Sequence, residues 1–148
     1  MRNKIRPHLK RNGFETDRMA GMRTLTDHIV DGDAANHQIT IEVEDEPGAG
    51  GANHEYALRW TEKSDLPAIG NIAHIWFQNG PIKEKGVNGV THEALLAIII
   101  DRLRSFQAGP FSCEENRVAL NFLTEALWFL QKRTRERIKR GVEGTMQK

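Results

Sequence analysis

The spacing of the apolar positions changes character along the chain. Ile39, Ile41 and Val43 alternate with polar residues, and a period of two returns over 56–60 and 72–77. Alternation of this kind predicts half-buried strands, and the short links between the three segments favour an antiparallel meander. Turns rich in glycine and proline separate the segments.

The last third of the sequence is helical in pattern. Apolar residues over 95–106 fall on one helical stripe, and the leucines over 120–130 follow alternating three- and four-residue spacing. Thr91 is a good N-cap for the first helix, and Ser112 opens a capping box for the second after a Gly-Pro turn. Gly141 predicts the end of that second helix, which would be on the order of 40 Å long.

These patterns predict an α+β fold in which a small antiparallel β-meander precedes a long antiparallel helical hairpin. Residues 1–36 show no sustained period and predict a flexible N-terminal extension. A single domain over 37–148 would hold the sheet at 37–90, the hairpin at 91–141 and a tail at 142–148.

Both helices also carry apolar residues away from their packing stripes. These residues are Ile98, Ile100, Phe122, Trp128 and Phe129. The sheet can cover one such face, and any remainder would be an exposed patch of the kind that marks a partner surface. We therefore predict a homo-oligomer built on the hairpin, the competing interpretation being that the sheet covers every apolar face.

The distribution of charge is more informative than its sum. The 148 residues have a formal net charge of +1, which implies no partner, but bases dominate 1–23 and 131–140 while acids dominate 27–65. One cysteine, Cys113, excludes an internal disulfide. No apolar run approaches a membrane span or a signal-peptide core, so we expect an intracellular soluble protein.

Catalytic signatures are missing from the sequence. It holds no Gly-x-Ser-x-Gly elbow, no phosphate-loop lysine motif and no Cys-x-x-Cys pair. The six histidines lack metal-ligand spacing, so we expect neither a metal site nor a cofactor. An enzyme is the weakest of the functional hypotheses.

Binding chemistry is better represented around the end of the third strand. Trp76 and Phe77 offer aromatic faces on which a nucleobase can stack, although plain core packing is an equal alternative. Asn79 and Asn88 carry amides that suit a base edge. Gly80 belongs to glycine clusters that bracket residues 82–85, predicting a loop whose backbone N–H groups aim outward.

Arginines supply the second part of this chemistry. Arg102 can meet a phosphate with a bidentate fork, or can pair with a neighbouring acid such as Asp101. At the end of the second helix, Arg133, Arg137 and Arg140 share one stripe. The basic end of a single helix is usually a solvated face. If oligomer symmetry brought several such ends together, their positive charges would repel unless an anion neutralised them, which would make a phosphate site.

A series of short motifs resembles a known family. The motifs are 77–84, 86–91, 100–103, 106–111, 133–137 and 140–145. In this order they are similar to the phage anti-Thoeris sponge family and to its anti-CBASS relatives, which share the helical-hairpin domain. The resemblance covers about residues 38–145.

The resemblance implies that the chain sequesters cyclic nucleotide immune messengers in the cytoplasm of the infected bacterial host, without cleaving them. It implies a hexamer that binds cyclic ADP-ribose isomers near the sheet and cyclic di- or trinucleotides between hairpins. Phe77 would stack on adenine, Asn88 would read polar groups, and Arg102, or Arg104 two positions on, would hold the pyrophosphate. The trinucleotide pocket would contain Arg133, Arg135, Arg137, Gly144 and Thr145. The alternative function is that of a small oligomeric nucleic-acid-binding protein. Under either hypothesis we expect no membrane partner.

Overall fold

The structure, a computed structural model, describes residues 23–60 and 71–147. Its elements are β1 (Arg23–Leu25), β2 (Ile39–Val43), β3 (Glu55–Trp60), β4 (Ile72–Trp76), α1 (Ile82–Lys85), α2 (His92–Ala108) and α3 (Glu114–Lys139). The strands form one sheet in the order β1-β2-β3-β4. The α+β class predicted from the sequence is confirmed.

The described residues divide into two compact units. The first comprises 23–46, 56–60 and 71–73, and the second comprises 47–55 and 74–147. Every candidate binding residue named from the sequence belongs to the second unit. Residues 1–22, which include most of the predicted flexible extension, lie outside the described residues.

The sheet of the first unit follows the period-two pattern of the sequence. β2 pairs antiparallel with β3, so that Ile41 lies opposite Leu58 and Val43 opposite Tyr56. The side chains of Val43 and Ala57 are fully buried. Val43 lies opposite Tyr56 and Ala57 lies opposite Glu42, so the two buried side chains are on opposite faces of the strand pair. β1 pairs antiparallel with β2 and is a strand that the sequence did not predict.

A short polar turn precedes β2 in the first unit. The Asp33 carboxylate accepts hydrogen bonds from the backbone N–H groups of Ala35 and Asn36, at 2.9 and 3.3 Å, and from the Asn36 side chain. These bonds, above all that from the Asn36 backbone, hold the pKa of Asp33 below its usual range. The turn is thus stabilised by the ionised form of Asp33.

The helical hairpin has the predicted elements, with one cap displaced. Thr91 caps α2 by accepting a 3.2 Å hydrogen bond from the backbone N–H of Ala94. The prediction that Ser112 caps α3 is wrong, because Cys113 is the N-cap. The Gln107 amide bonds both the N–H and the carbonyl of Cys113, at 3.0 Å each, and so fixes the helix start one residue later.

The interface between α2 and α3 follows the leucine stripe. The four leucines of α3 on this stripe are half-buried; they are Leu120, Leu123, Leu127 and Leu130. Ile100, placed off the stripe by the sequence, is the most buried residue of the hairpin, with 2% of its surface exposed. In contrast, Ile98, Phe122 and Phe129 are exposed, so one apolar face of the hairpin has no cover within this chain's described residues.

Over residues 23–60 and 71–147, no helix is both long and apolar enough to cross a membrane. This holds even for α3, whose 26 residues would suffice in length, because its sequence is rich in charged residues.

Candidate functional site

The loop after β4 is held by a side chain from farther along the chain. Asn88 accepts a hydrogen bond from the backbone N–H of Asn79 and donates one to its carbonyl, each at 2.8 Å. The Gln78 side chain accepts from the backbone N–H of Asn88 at 2.9 Å and donates to the carbonyls of Gly80 and Gly86. The amide of Asn88, predicted to read ligand groups, therefore holds the loop together.

The segment over 82–85 corrects the sequence prediction of an outward-facing loop. It forms α1, and the N–H groups of Glu84 and Lys85 both donate to the carbonyl of Pro81. The N–H of Lys83 donates to the carbonyl of Gly144 at 3.2 Å. Because internal and tail acceptors engage these groups, they are not a nest for a ligand anion.

Gly89 allows its own backbone segment to approach the backbone of Trp76 and Phe77 closely. Phe77 and Val90 form a parallel bridge, in which Val90 N–H donates to the Trp76 carbonyl at 2.8 Å. A Cβ atom added at Gly89 would lie 2.4 Å from the Phe77 carbonyl carbon and 2.6 Å from the Trp76 oxygen. Only glycine fits here, and the bridge fixes where both aromatic residues stand.

The two adjacent aromatic residues have different surroundings. Trp76 is 52% exposed and stacks on His74, with ring centroids 5.2 Å apart and nearly parallel planes. Phe77 is half-buried, and its ring meets His92 at the start of α2 at 5.1 Å. Neighbouring residues of a strand point to opposite faces, so Phe77 faces the hairpin while the ring of Trp76 is exposed to solvent.

Trp76 also borders a shallow cleft of 340 Å³. Its other lining residues are His74, Ile75, Asn88, Gly89, Val90 and Leu95. The wall is mainly apolar, which suits a flat aromatic group more than a phosphate.

A second cleft, of 370 Å³, joins the loop after β4 to the arginine-rich end of α3. Its lining residues are Ala49, Gly50, His54, Gln78, Gly80, Pro81, Arg133, Thr134, Arg137, Glu143, Thr145 and Met146. We refer to it below as the arginine cleft. Gly80 and Arg133 were predicted to serve two different ligand sites, yet both line this one cleft.

The basic residues of α3 differ in their exposure. Arg133, Arg135 and Arg140 are exposed, whereas Arg137 is half-buried beneath the tail that follows the helix. Gly141, with φ of 70°, ends α3 as predicted and turns the chain back toward the helix. Arg133 is thus an exposed cation on the wall of the arginine cleft.

Arg102 lies far from the arginine cleft. Its guanidinium carbon is 5.0 Å from the centre of the Phe106 ring, and both border a cleft of 400 Å³ beside the hairpin turn. At 1.5 Å per residue, Arg102 stands about 15 Å along α2 from His92 and the ring of Phe77. One chain therefore does not bring Arg102 to Phe77. Arg104 is exposed on the same helix.

Sequence reasoning did not identify several residues of the arginine cleft. Gln78 and Pro81 lie inside a motif that was recognised, but no role was assigned to them. His54 and Gly50 come from the turn before β3, and a Cβ added at Gly48 in that turn would lie 3.1 Å from His54 Nδ1. No local pattern marks these residues, because the chain brings them to Arg133 only on folding.

No three side chains of His, Cys, Asp or Glu within 23–60 and 71–147 are grouped so that they could hold a metal ion. On the wall of the arginine cleft, the Gln78 amide donates to the carbonyls of Gly80 and Gly86, and the Thr145 hydroxyl donates to that of Val142. Arg133 presents an exposed guanidinium, a donor that suits an oxyanion. The Glu143 carboxylate on the same wall pairs with Arg137 at 3.1 Å.

Two comparisons with known proteins bear on this chain. Residues 70–135 match the family model of the Acb2/Tad1 hairpin domain. The chain is also similar to Thoeris anti-defense 1 of Bacillus phage SBSphiJ7, with 52% identity over 79 residues. That alignment covers 53% of this chain and 56% of the phage protein, so the chain spans little more than half the length of this curated relative.

Proposed function

We propose that this chain, whose resemblance to the anti-Thoeris family with the Acb2/Tad1 hairpin domain is supported by both comparisons, is a phage anti-defence protein. It binds cyclic nucleotide immune messengers in the cytoplasm of the infected host and withholds them without cleavage. The messengers are cyclic ADP-ribose isomers and, at the arginine cleft, cyclic di- or trinucleotides.

The arginine cleft is the observation that carries this proposal. A phosphodiester is a permanent anion, and Arg133 is an exposed guanidinium on the cleft wall, where it can donate two parallel hydrogen bonds to one phosphate. Gln78 and Thr145 lie beside it, where their side-chain hydrogen bonds to nearby carbonyls hold the wall of the cleft in shape. The volume of 370 Å³ lies within the usual range of ligand pockets, which is about 300–1,000 Å³.

The kind of groups present supports the proposal of binding without turnover. Cleavage of a phosphodiester requires an activated nucleophile or a metal ion, and the residues around Arg133 instead supply donors for an unreacted anion. The benefit to the phage would come from lowering the free concentration of messenger, which needs tight binding. A submicromolar dissociation constant corresponds to roughly 8 kcal/mol or more.

The second part of the proposal is a homo-oligomer, a hexamer by resemblance. Phe122 and Phe129 are 68% and 60% exposed on one side of α3, a large apolar area for a chain to leave in water. A cyclic trinucleotide has three equivalent phosphates, and three copies of Arg133 related by symmetry would match them. The same assembly would allow Arg102 of one copy to reach the aromatic residues of another.

At the sheet-side site, we propose that the adenine of a cyclic ADP-ribose isomer stacks on an aromatic ring at the end of β4. The exposed ring of Trp76 is more accessible than that of Phe77, because Phe77 faces His92 of α2. Trp76 already forms a stacked pair with His74, so its exposed face is held in one orientation before a ligand arrives. A base stacked on an aromatic side chain contributes about 1–3 kcal/mol. Arg102 or Arg104 from a second copy would meet the pyrophosphate.

The test is calorimetric titration of the full chain with a cyclic trinucleotide and a cyclic ADP-ribose isomer. Bound ligand is then released by heat and identified by mass spectrometry, and recovery of unaltered ligand is expected. A linear trinucleotide of the same composition is the matched ligand control, because it keeps the bases and charge but lacks the ring. Altered products would establish an enzyme, and retention of neither messenger would overturn the proposal.

Variants connect the binding to the arginine cleft. Arg133→Gln removes a charge-assisted hydrogen bond of about 1.5–3 kcal/mol, so the trinucleotide Kd should rise roughly 10- to 150-fold. Arg117→Gln is the control, because Arg117 pairs with Glu114 near the other end of α3. Equal effects of the two variants would disconnect Arg133 from the ligand. Salt-sensitive binding of long DNA would favour the nucleic-acid-binding alternative.

A further inference from the structure

The tail after α3 has a defined fold. The N–H of Gly141 donates to the Ile138 carbonyl at 2.9 Å, and that of Val142 donates to the Arg137 carbonyl at 3.1 Å. This pattern is a Schellman motif, which reverses the chain at the end of a helix. Thr145 then closes a further turn through its hydroxyl, which donates to the Val142 carbonyl at 2.7 Å.

The side chain of Arg137 makes four hydrogen bonds to this tail. Nε donates to the Glu143 carboxylate at 3.1 Å, and the two terminal nitrogens donate to the carbonyls of Val142, Thr145 and Gln147 at 3.0, 2.8 and 2.8 Å. A guanidinium has five N–H donors. Four of the five on Arg137 are therefore directed at residues 142–147 rather than at the open cleft.

We propose that Arg137 is a positioning residue of the arginine cleft, an inference that rests on the proposed function of that cleft. It fixes the tail so that Thr145 and Met146 line the cleft, while Arg133 meets the ligand anion. To bind a phosphate itself, Arg137 would have to break its hydrogen bonds to the Glu143 carboxylate and to three carbonyls of the tail, two of which belong to half-buried residues. The loss of those bonds opposes such a movement.

Gly144 shows how narrowly the tail path is defined. Its φ is 74°, a conformation that other residues rarely adopt, and an added Cβ would lie 3.2 Å from Cγ of Lys83. Its carbonyl accepts from the backbone of Lys83. Gly144→Pro imposes a negative φ, so it breaks the tail path in the full-length chain while leaving every arginine in place.

The first test needs no ligand and measures order in the tail. The methyl group of Thr145, which is half-buried and whose carbonyl accepts from Arg137, is labelled with carbon-13, assigned by Thr145→Ser, and reports by NMR whether the tail is packed. Arg137→Gln, Arg137→Lys and Gly144→Pro should all move this resonance to its random-coil position, with helix content by circular dichroism unchanged. A Thr145 methyl signal that stays at its original position in Arg137→Gln would overturn the proposal.

The second test is a double-mutant cycle with a cyclic trinucleotide as the probe, measured by calorimetry. Arg137→Gln and Gly144→Pro should each raise Kd at least about tenfold, and the two together should raise it no further. Arg133→Gln combined with Gly144→Pro is the control, because independent losses multiply. A further loss from Arg137→Gln in the Gly144→Pro background would show direct contact with ligand.

Lysine substitutions separate the two arginine roles. Arg133→Lys keeps a charge near the anion and should retain part of the affinity that Arg133→Gln loses. Arg137→Lys keeps the charge but cannot reproduce four directed bonds, so it should bind as weakly as Arg137→Gln. Recovery of affinity in Arg137→Lys would refute the positioning role. If the unaltered chain binds no trinucleotide, the proposed role of the arginine cleft fails, and the methyl signal still decides whether Arg137 orders the tail.

Discussion

Replacing Gly89 with alanine should destabilise the chain more than its small size suggests. The added Cβ would stand 2.4 Å from the Phe77 carbonyl carbon and 2.5 Å from its oxygen, and both are backbone atoms that cannot rotate away. The nearest relief is to separate the Phe77–Val90 bridge. That separation breaks the hydrogen bond from Val90 N–H to the Trp76 carbonyl and the one from Gln78 N–H to the Val90 carbonyl.

The size of the effect follows from the lost hydrogen bonds and from the steric contact of the added Cβ. Two net hydrogen bonds contribute about 1–3 kcal/mol, and overpacking of a close contact costs about 1–3 kcal/mol. We expect a loss of about 3 kcal/mol in the free energy of unfolding. For a chain of this size, that corresponds to a fall in Tm of about 6–12 °C. The cleft beside Trp76 would also change shape, because Gly89 lines it.

The matched control is Gly109→Ala. Neither Gly89 nor Gly109 has a positive φ, and a Cβ at Gly109 would meet its nearest neighbour, the Ser105 carbonyl oxygen, at an ordinary 3.5 Å. The entropic gain from alanine in the unfolded chain is the same at both sites. Thermal and urea unfolding, followed by circular dichroism at one fixed protein concentration, should separate the variants. Equal Tm values would refute the steric account of Gly89.

Three further predictions test other parts of the structure. Asn88→Asp keeps the hydrogen bond from the Asn79 N–H but places a carboxylate oxygen against the Asn79 carbonyl, so it should lower Tm in the absence of ligand. An unchanged Tm would contradict the role of Asn88 in holding the loop. The pKa of Asp33 is lowered in the folded chain, so the ionised carboxylate stabilises the fold above the unfolded pKa, and this stabilisation is lost as pH falls through the folded pKa. Asp33→Asn should remove this contribution to the acid-side pH dependence of the free energy of unfolding, measured in urea. Phe122→Asp should reduce the proposed oligomer to smaller species in analytical ultracentrifugation, and an assembly unchanged by the substitution would exclude this face from the interface.

The sequence predicted elements whose causes are local. Strands β2, β3 and β4 follow from alternation, and the helical hairpin follows from its apolar stripe and from caps such as Thr91 and Gly141. Each signal lies within a few residues of the structure that it specifies. The family resemblance, which the comparisons support, could be detected for the same reason, because each of its motifs is a continuous run of residues.

The features that the sequence missed depend on distant partners. β1 has three residues and too short an alternation to detect, and it exists through pairing with β2. α1 is a single turn with a bond to Gly144, about 60 residues farther on. Ile100 was placed off the packing stripe, yet it is 2% exposed, while Ile99, an apolar residue of the predicted stripe, is 45% exposed. The buried face of α2 is therefore rotated from the stripe that the sequence pattern predicted.

Under the proposed function, assembly and ligand binding form one equilibrium. A buried Phe side chain contributes about 1.5–3 kcal/mol, so leaving Phe122 and Phe129 in water is costly unless another copy covers them. The same chain places Arg102 about 15 Å along α2 from the ring of Phe77, which is too far for both to hold one small ligand. A second copy supplies both the missing cover and the missing cation. A ligand that binds only the assembled form must then stabilise the assembly by the free energy of its own binding.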